Sequence, residues 1–312
     1  NDPSAPKSNQ PLVATEPCQP RLHKFQQLLQ IGLLGKLWPA DRYFLGVCVC
    51  RWLRDELLDD VEFVRLYREG DLLAEHDHSW MQASSVQDVA RGLNRMAHTK
   101  LSVTWKSHVL EPTMMVLEGM SAAGPSFGES LVHLDMSGNN FRDRGAQQLS
   151  LSLPAPHLVH LDLTRNHIGH AGMRKLAAGL QESTQLTHLS LMSNKIWSEG
   201  AKHLADALRP CHGLTWLDLA GNEIQDEGMT ALSGALSPGL THLDLRWNEM
   251  RADGASRLAS AMAKCTAVTD LNLSGNALGD LGAGRLAPAL SRCRQLRNLG
   301  LSAIKMHDDG AG

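Results

Sequence analysis

From Leu131 onward the apolar positions follow one recurring order: L-x-x-L-x-L-x-x-N-x-I, then a glycine, then two leucines at helical spacing. Leu158 to Leu180, LVHLDLTRNHIGHAGMRKLAAGL, shows the unit in full. The units start at Leu131, Leu158, Leu186, Leu214, Leu240, Val268 and Leu296, at intervals of 27, 28, 28, 26, 28 and 28 residues. A fixed period in the twenties marks stacked units, none of which can bury its apolar face alone. In the first half of each unit the alternation sends Leu161 and Leu163 to one side and His160, Asp162 and Thr164 to the other, which predicts a half-buried strand. In the second half Leu176 and Leu180 stand four apart, which predicts a helix with one apolar face. One strand and one helix per unit, joined by right-handed crossovers, predict a parallel sheet lined by helices. Helices are wider than strands, so the array should curve with its strands on the inside.

Further columns complete the unit. Asn139, Asn166, Asn194, Asn222, Asn248 and Asn276 stand where the chain bends away from the sheet, and the seventh unit has Ile304 there. Buried peptide groups at a bend need partners. Asp143, Ser198, Asp226, Asp280 and Asp308 stand at the expected helix starts and are expected to be N-caps. Two residues on comes a glycine (Gly145, Gly172, Gly200, Gly228, Gly254, Gly282, Gly310), which allows close backbone approach. The whole pattern resembles the leucine-rich repeat in its long, ribonuclease-inhibitor-like form, the Asn type also found in NLR-type immune receptors. The resemblance covers Leu131 to Gly312. It implies an α/β fold: a leucine-rich-repeat horseshoe with a parallel sheet on the concave face, helices on the convex face, and an N-terminal helical segment. It also implies that the turn asparagines point inward and form a ladder between neighbouring repeats.

Before the array the pattern changes. Residues 1–20, rich in Pro, Ser, Asn and Gln, read as a disordered linker. In residues 21–70, Leu28, Leu29, Leu33, Leu34 and Leu37 predict one helix, Leu45, Val49, Trp52 and Leu53 a second, and Leu57, Leu58, Val61, Phe63, Val64 and Leu66 a third. Leu33, Leu34, Leu37, Pro39, Asp41 and Trp52, followed by LLDDVEFVRLY, resemble an F-box. That resemblance implies docking on a Skp-type adaptor of a cullin ubiquitin ligase. The alternative is a helical cap on the solenoid. Residues 84–130 read as degenerate repeats, with Leu101 and Val103 in a strand, Val116 and Met120 on a helix, and a loop over 121–130. The seven regular repeats fill 131–312, the last one truncated. With Asn rather than Met at the start and the last repeat cut short, the chain is expected to be a fragment or a processed form.

The concave face should collect the third, fifth and seventh positions of each unit. The third reads His133, His160, His188, Trp216, His242, Asp270, Asn298; the fifth Asp135, Asp162, Ser190, Asp218, Asp244, Asn272, Gly300. The seventh contains Met192 and Arg246, and Arg165 and Trp247 stand one place further on. Trp and Arg supply much of the energy of protein interfaces. The candidate partner-binding residues are therefore His160, Asp162, Arg165, His188, Met192, Trp216, Asp218, His242, Asp244, Arg246 and Trp247, with Trp216, Trp247 and Arg246 as the anchor. The His and Asp columns admit three readings: ordinary polar residues of a wet sheet, a pH-responsive face, or a metal site. No closed ligand set is present for a metal.

Composition narrows the picture. A net charge of −3 and a pI near 6.6 give no support for nucleic-acid binding. No apolar run is long enough to span a bilayer, and residues 1–17 lack the apolar core of a secretory signal. Cys211, Cys265 and Cys293 hold equivalent places in their repeats, which suits buried free thiols in a reduced compartment, cytoplasmic or nuclear. No phosphate-binding loop, nucleophile elbow or zinc-protease motif occurs. The expected function is non-enzymatic protein binding on the concave face, without a cofactor. The resemblance also admits an F-box substrate receptor, a GTPase activator, or an inhibitor of the ribonuclease-inhibitor kind.

Overall fold

The computed structural model describes residues 110–306 and three earlier strands, β1 (Gly46–Val47), β2 (Phe63–Tyr67) and β3 (Lys100–Thr104). Helices α1 (Leu110–Ala123) and α2 (Pro125–Ser130) follow. Strand and helix then alternate: β4 (His133–Asp135), α3 (Arg142–Ser150), β5 (His160–Asp162), α4 (His170–Leu180), β6 (His188–Ser190), α5 (Trp197–Leu208), β7 (Trp216–Asp218). The series ends with α6 (Gln225–Leu232), β8 (His242–Asp244), α7 (Ala252–Met262), β9 (Asp270–Asn272), α8 (Gly279–Leu290) and β10 (Asn298–Gly300). The strands form one sheet in chain order, antiparallel across β1–β2–β3 and parallel from β3 to β10. The α/β solenoid of stacked strand–helix units expected from the period is thus the observed fold.

Two N-terminal expectations are corrected. Phe63–Tyr67, placed in the third helix by spacing, is a strand paired along its length with β3. Gly46–Val47, placed in the second, is a strand paired with β2. FVRLY is made of β-branched, aromatic and alternating residues, and the β3 backbone offers it a ladder of hydrogen bonds that a short helix lacks. Residues 1–45, 48–62, 68–99, 105–109 and 307–312 lie outside the described residues, and with them the linker, the rest of the F-box-like segment, and Asp308 and Gly310 of the last repeat. The loop expected over 121–130 is also helical: α1 runs to Ala123, Gly124 turns with φ 77°, and Pro125 opens α2, as suits a proline at a first helical position.

Register is strict, with each strand residue opposite its counterpart one repeat on. The inward leucines Leu134, Leu161, Leu189, Leu217, Leu243 and Leu271 are buried, as are Leu149, Leu176, Leu204 and Leu258 from the helices. Each such side chain contributes about 2 kcal/mol. Leu299 of β10, the outermost described strand, is 42 % exposed.

The turn asparagines are buried and face inward. Asn166 Nδ2 donates to Met136 O at 2.8 Å and to Leu163 O at 3.1 Å, while Asn194 Oδ1 accepts from Asn166 N and Ile168 N at 3.1 and 2.9 Å. Asn248 and Asn276 repeat the arrangement. A second ladder lies three residues before the opening apolar residue of four units, Leu186, Leu214, Leu240 and Val268. Ser183 and Ser237 hydroxyls and the Cys211 and Cys265 thiols donate to carbonyls of the preceding repeat. Cys211, Cys265 and Cys293 are free and buried, and burial pushes the Cys211 and Cys265 thiols up to about 11.

The helix caps depart from expectation. Asp143, Ser198, Asp226 and Asp280 sit at the second position inside their helices, none of which has a side-chain cap of its own. Two of the aspartates act across the repeat boundary. Asp143 Oδ1 accepts from Gly169 N at 2.6 Å, before α4; Asp226 Oδ1 accepts from Arg251 N and Gly254 N at 2.7 and 2.9 Å, at the start of α7. This explains two of the periodic glycines. A Cβ at Gly172 or Gly254 would lie 2.5 or 2.4 Å from the carboxylate oxygen of Asp143 or Asp226.

Candidate functional site

Parallel register brings the third-position side chains into a single file. His133 stacks on His160 with ring centroids 4.0 Å apart and planes 7° apart. His160 then faces His188 at 5.5 Å, and His188 faces Trp216 at 6.3 Å. The file changes character at β8. His242 points its Nε2 to Asp270 Oδ2 at 2.9 Å, and Asp270 Oδ1 accepts from Asn298 Nδ2. Burial holds His160 and His188 below the usual histidine range, helped by the neighbouring His188 and His242 respectively. Imidazoles stacked in this way favour the neutral form.

The fifth-position column has a duty in the turns as well as a place on the face. Oδ1 of Asp135, Asp162, Asp218 and Asp244 accepts the backbone N–H two residues on, at 2.9, 2.8, 2.9 and 3.0 Å. These carboxylates tie the end of each strand to its turn. Asp218, expected to project from the face, is only 8 % exposed. Large neighbours explain the difference, since Trp216 stands beside it on β7 and the Asp244–Arg246 pair on the next repeat. Burial pushes the Asp218 carboxyl up to about 6 and also raises that of Asp162. Ser190 is buried too, and its hydroxyl shares a 2.7 Å hydrogen bond with that of Thr164.

The remaining candidates occupy the turns. Met192 is half-buried and Arg165 exposed. Arg246 Nε lies 2.8 Å from Asp244 Oδ2. Trp247 is 61 % exposed and has φ 54°. Its indole covers Gly275, where a Cβ would come within 2.4 Å of the ring. The two tryptophans of the expected anchor therefore lie apart: Trp216 belongs to the ring file, Trp247 to the turn. Beside Trp247 opens a cleft of about 550 Å³ walled by Gln225, Glu249, Arg251, Gly275 and Lys305 among others.

Sequence reasoning missed Trp197. It is 40 % exposed, donates from Nε1 to Glu223 Oε2 at 3.0 Å, and lies tilted against His170. Its place just after the buried Ile196 reads as helix interior; only φ 55° at the first helical residue reveals that it turns outward. Among the described residues no cluster of His, Cys, Asp and Glu is arranged to hold a metal ion, and no helix is long and apolar enough to cross a membrane.

Six segments of the chain match the family described as Leucine Rich repeat: 129–150, 155–177, 182–205, 211–233, 237–259 and 264–287. A search of curated proteins finds no match. The six matched segments follow one another through 129–287 and coincide with six strand–helix units of the sheet described above; the chain is a leucine-rich-repeat protein.

Proposed function

We propose that this chain is a non-enzymatic scaffold that binds a protein partner on the concave face of its repeats. Trp247 carries the reading. Its place in the repeat has positive φ throughout, and elsewhere holds Gly138, Arg165, Ser193, Gly221, Gly275 and Ala303. Glycine adopts that conformation freely, whereas a bulky side chain there costs about 1–3 kcal/mol. Trp247 also exposes a large apolar surface to water, which is unfavourable for an isolated protein. A strained and exposed indole is what an interface anchor looks like before its partner arrives. The resemblance to an F-box does not add to this. It rests on residues 21–70, and the strands β1 and β2 stand where it implies helix.

Site-directed photo-crosslinking tests the proposal. A photo-reactive residue at His242, on the concave face, should trap a protein partner. The same residue at Lys202, on the exposed side of α5, should not. Trp247→Ala should abolish trapping from position 242. Equal trapping at both positions, or trapping indifferent to Trp247, would sink the idea.

A further inference from the structure

The outward face of the strands carries a charge imbalance, holding more carboxylates than cations at its third, fifth and seventh positions. Register sets Asp135 opposite Asp162, and Asp218 opposite Asp244, on strands about 4.8 Å apart. Like charges so placed oppose one another. At the third, fifth and seventh positions of β4 to β10 the acids are Asp135, Asp162, Asp218, Asp244 and Asp270. The only described Lys or Arg at those positions is Arg246, which Asp244 already holds at 2.8 Å; Arg165 stands exposed in the turn one place further on. Among the described residues no salt bridge reaches Asp162 or Asp218, and both carboxyls are raised. On the helices, by contrast, three exposed acids are paired with a cation: Glu199 with Lys202 at 2.9 Å, Asp206 with Arg209 at 3.3 Å, and Asp253 with Arg285 at 2.8 Å.

The ring file ends beside these carboxylates. His188 covers one side of Trp216. On the other side lies β8, where His242 turns to Asp270 instead. Among the described residues no ring of β8 stacks on the half-buried Trp216, which lies two residues along the strand from Asp218 and one strand from Asp244.

We propose that the concave face takes an extended polypeptide segment rich in arginine and lysine, with one cationic side chain seated on Trp216 between β7 and β8. A guanidinium lies flat on an indole and bonds carboxylates through its edge, so a ring beside a carboxylate column is complementary to it. Nucleic acid and acidic segments are repelled by the same carboxylates. The assignment rests on the concave face being the partner surface, and the experiment separates the two.

The 312-residue chain is titrated with a fluorescein-labelled octapeptide of alternating Arg and Ser, and with its Glu–Ser counterpart, reading anisotropy and tryptophan emission. Saturable binding of the Arg–Ser peptide alone is expected. It should weaken about tenfold or more in Asp162→Asn/Asp218→Asn, and less than about twofold in the helical-face control Glu199→Gln/Asp206→Asn. Asparagine keeps the turn acceptor, as Asn272 does with Ser274 N at 3.2 Å, and circular dichroism verifies the fold. Equal binding of the two peptides, no binding of either, or equal loss in the two double variants overturns the proposal. The Arg–Ser peptide is also added to the crosslinking at His242. Trapping that it fails to compete overturns the charge class of the partner and leaves concave binding standing; no trapping at His242 overturns the partner surface as well.

Discussion

Replacing Asp218 by asparagine should stabilise the array at neutral pH. Asp218 is 8 % exposed, and its Oδ1 accepts the Ala220 N–H at 2.9 Å. Asparagine keeps that acceptor and removes the charge. The chain already uses this arrangement in β9, where Asn272 Oδ1 accepts from Ser274 N at 3.2 Å. Burial, with smaller repulsion from Asp244 and Asp162, lifts the Asp218 carboxyl from 3.8 to about 6. Roughly two pKa units correspond to about 3 kcal/mol, and residual solvation of the site reduces the expected gain to about 1–3 kcal/mol. The sign follows from linkage. A carboxyl whose folded pKa is raised contributes stability that is complete below its unfolded pKa of 3.8 and is lost as pH rises through about 6. The advantage of Asp218→Asn should therefore be full near pH 7.5 and about half as large near pH 5. Urea unfolding followed by circular dichroism at the two pH values measures it. A variant less stable than the parent at pH 7.5, or a difference that does not change with pH, would refute the reasoning.

Two further substitutions separate architecture from surface. Trp247→Gly should leave stability unchanged or raise it by about 1 kcal/mol, because φ 54° suits glycine, while abolishing the crosslink from His242; a clear drop in the unfolding midpoint would show that the indole is a packing element over Gly275. Asn248→Ala should cost about 3 kcal/mol or more, because it strips partners from Asn222 N, Ile224 N and Leu219 O in a buried turn, and a loss below about 1 kcal/mol in thermal or urea unfolding would show that the ladder is dispensable there.

The repeat was legible because its period is set by local sterics and burial. Leu161 and Leu163 alternate and Leu176 and Leu180 recur at helical spacing, so strand and helix follow from one unit read alone, while the ladder at Asn166 came from the family resemblance. What escaped were side-chain contacts between units outside the ladder and the ring file. A carboxylate at the second position of a helix looks like a cap of that helix; only the stacking shows that Asp226 serves α7 and that Gly254 makes room for it. Ser183 and Ser237 belong to the same donor column as Cys211 and Cys265, but serine and cysteine do not look alike in a sequence. The candidate face divided similarly. Register alone predicted the file from His133 to Trp216, whereas the burial of Asp218 depends on the bulk of neighbouring side chains. Phe63–Tyr67 misled because its apolar residues fit helical spacing as well as strand alternation, and pairing with β3 decided between them.

The fifth-position column shows how a scaffold duty and a surface duty can share one side chain. The turn needs an acceptor two residues before the N–H it ties, and Asn272 supplies one without a charge. Ser190 and Gly300 occupy the position without a carboxylate at all. The fold therefore does not require the negative charges of Asp135, Asp162, Asp218 and Asp244. Placing them opposite one another in pairs and burying Asp218 opposes folding at neutral pH. What the charges add is a negative potential along the ring file, confined to the face that also bears Trp216. If Asp162→Asn/Asp218→Asn raises stability and weakens the Arg–Ser peptide together, the cost of those charges in the free chain is offset by what they contribute in the complex. If it raises stability and leaves binding untouched, the column is architecture alone, and the search for the partner moves to Trp247 and the cleft beside it.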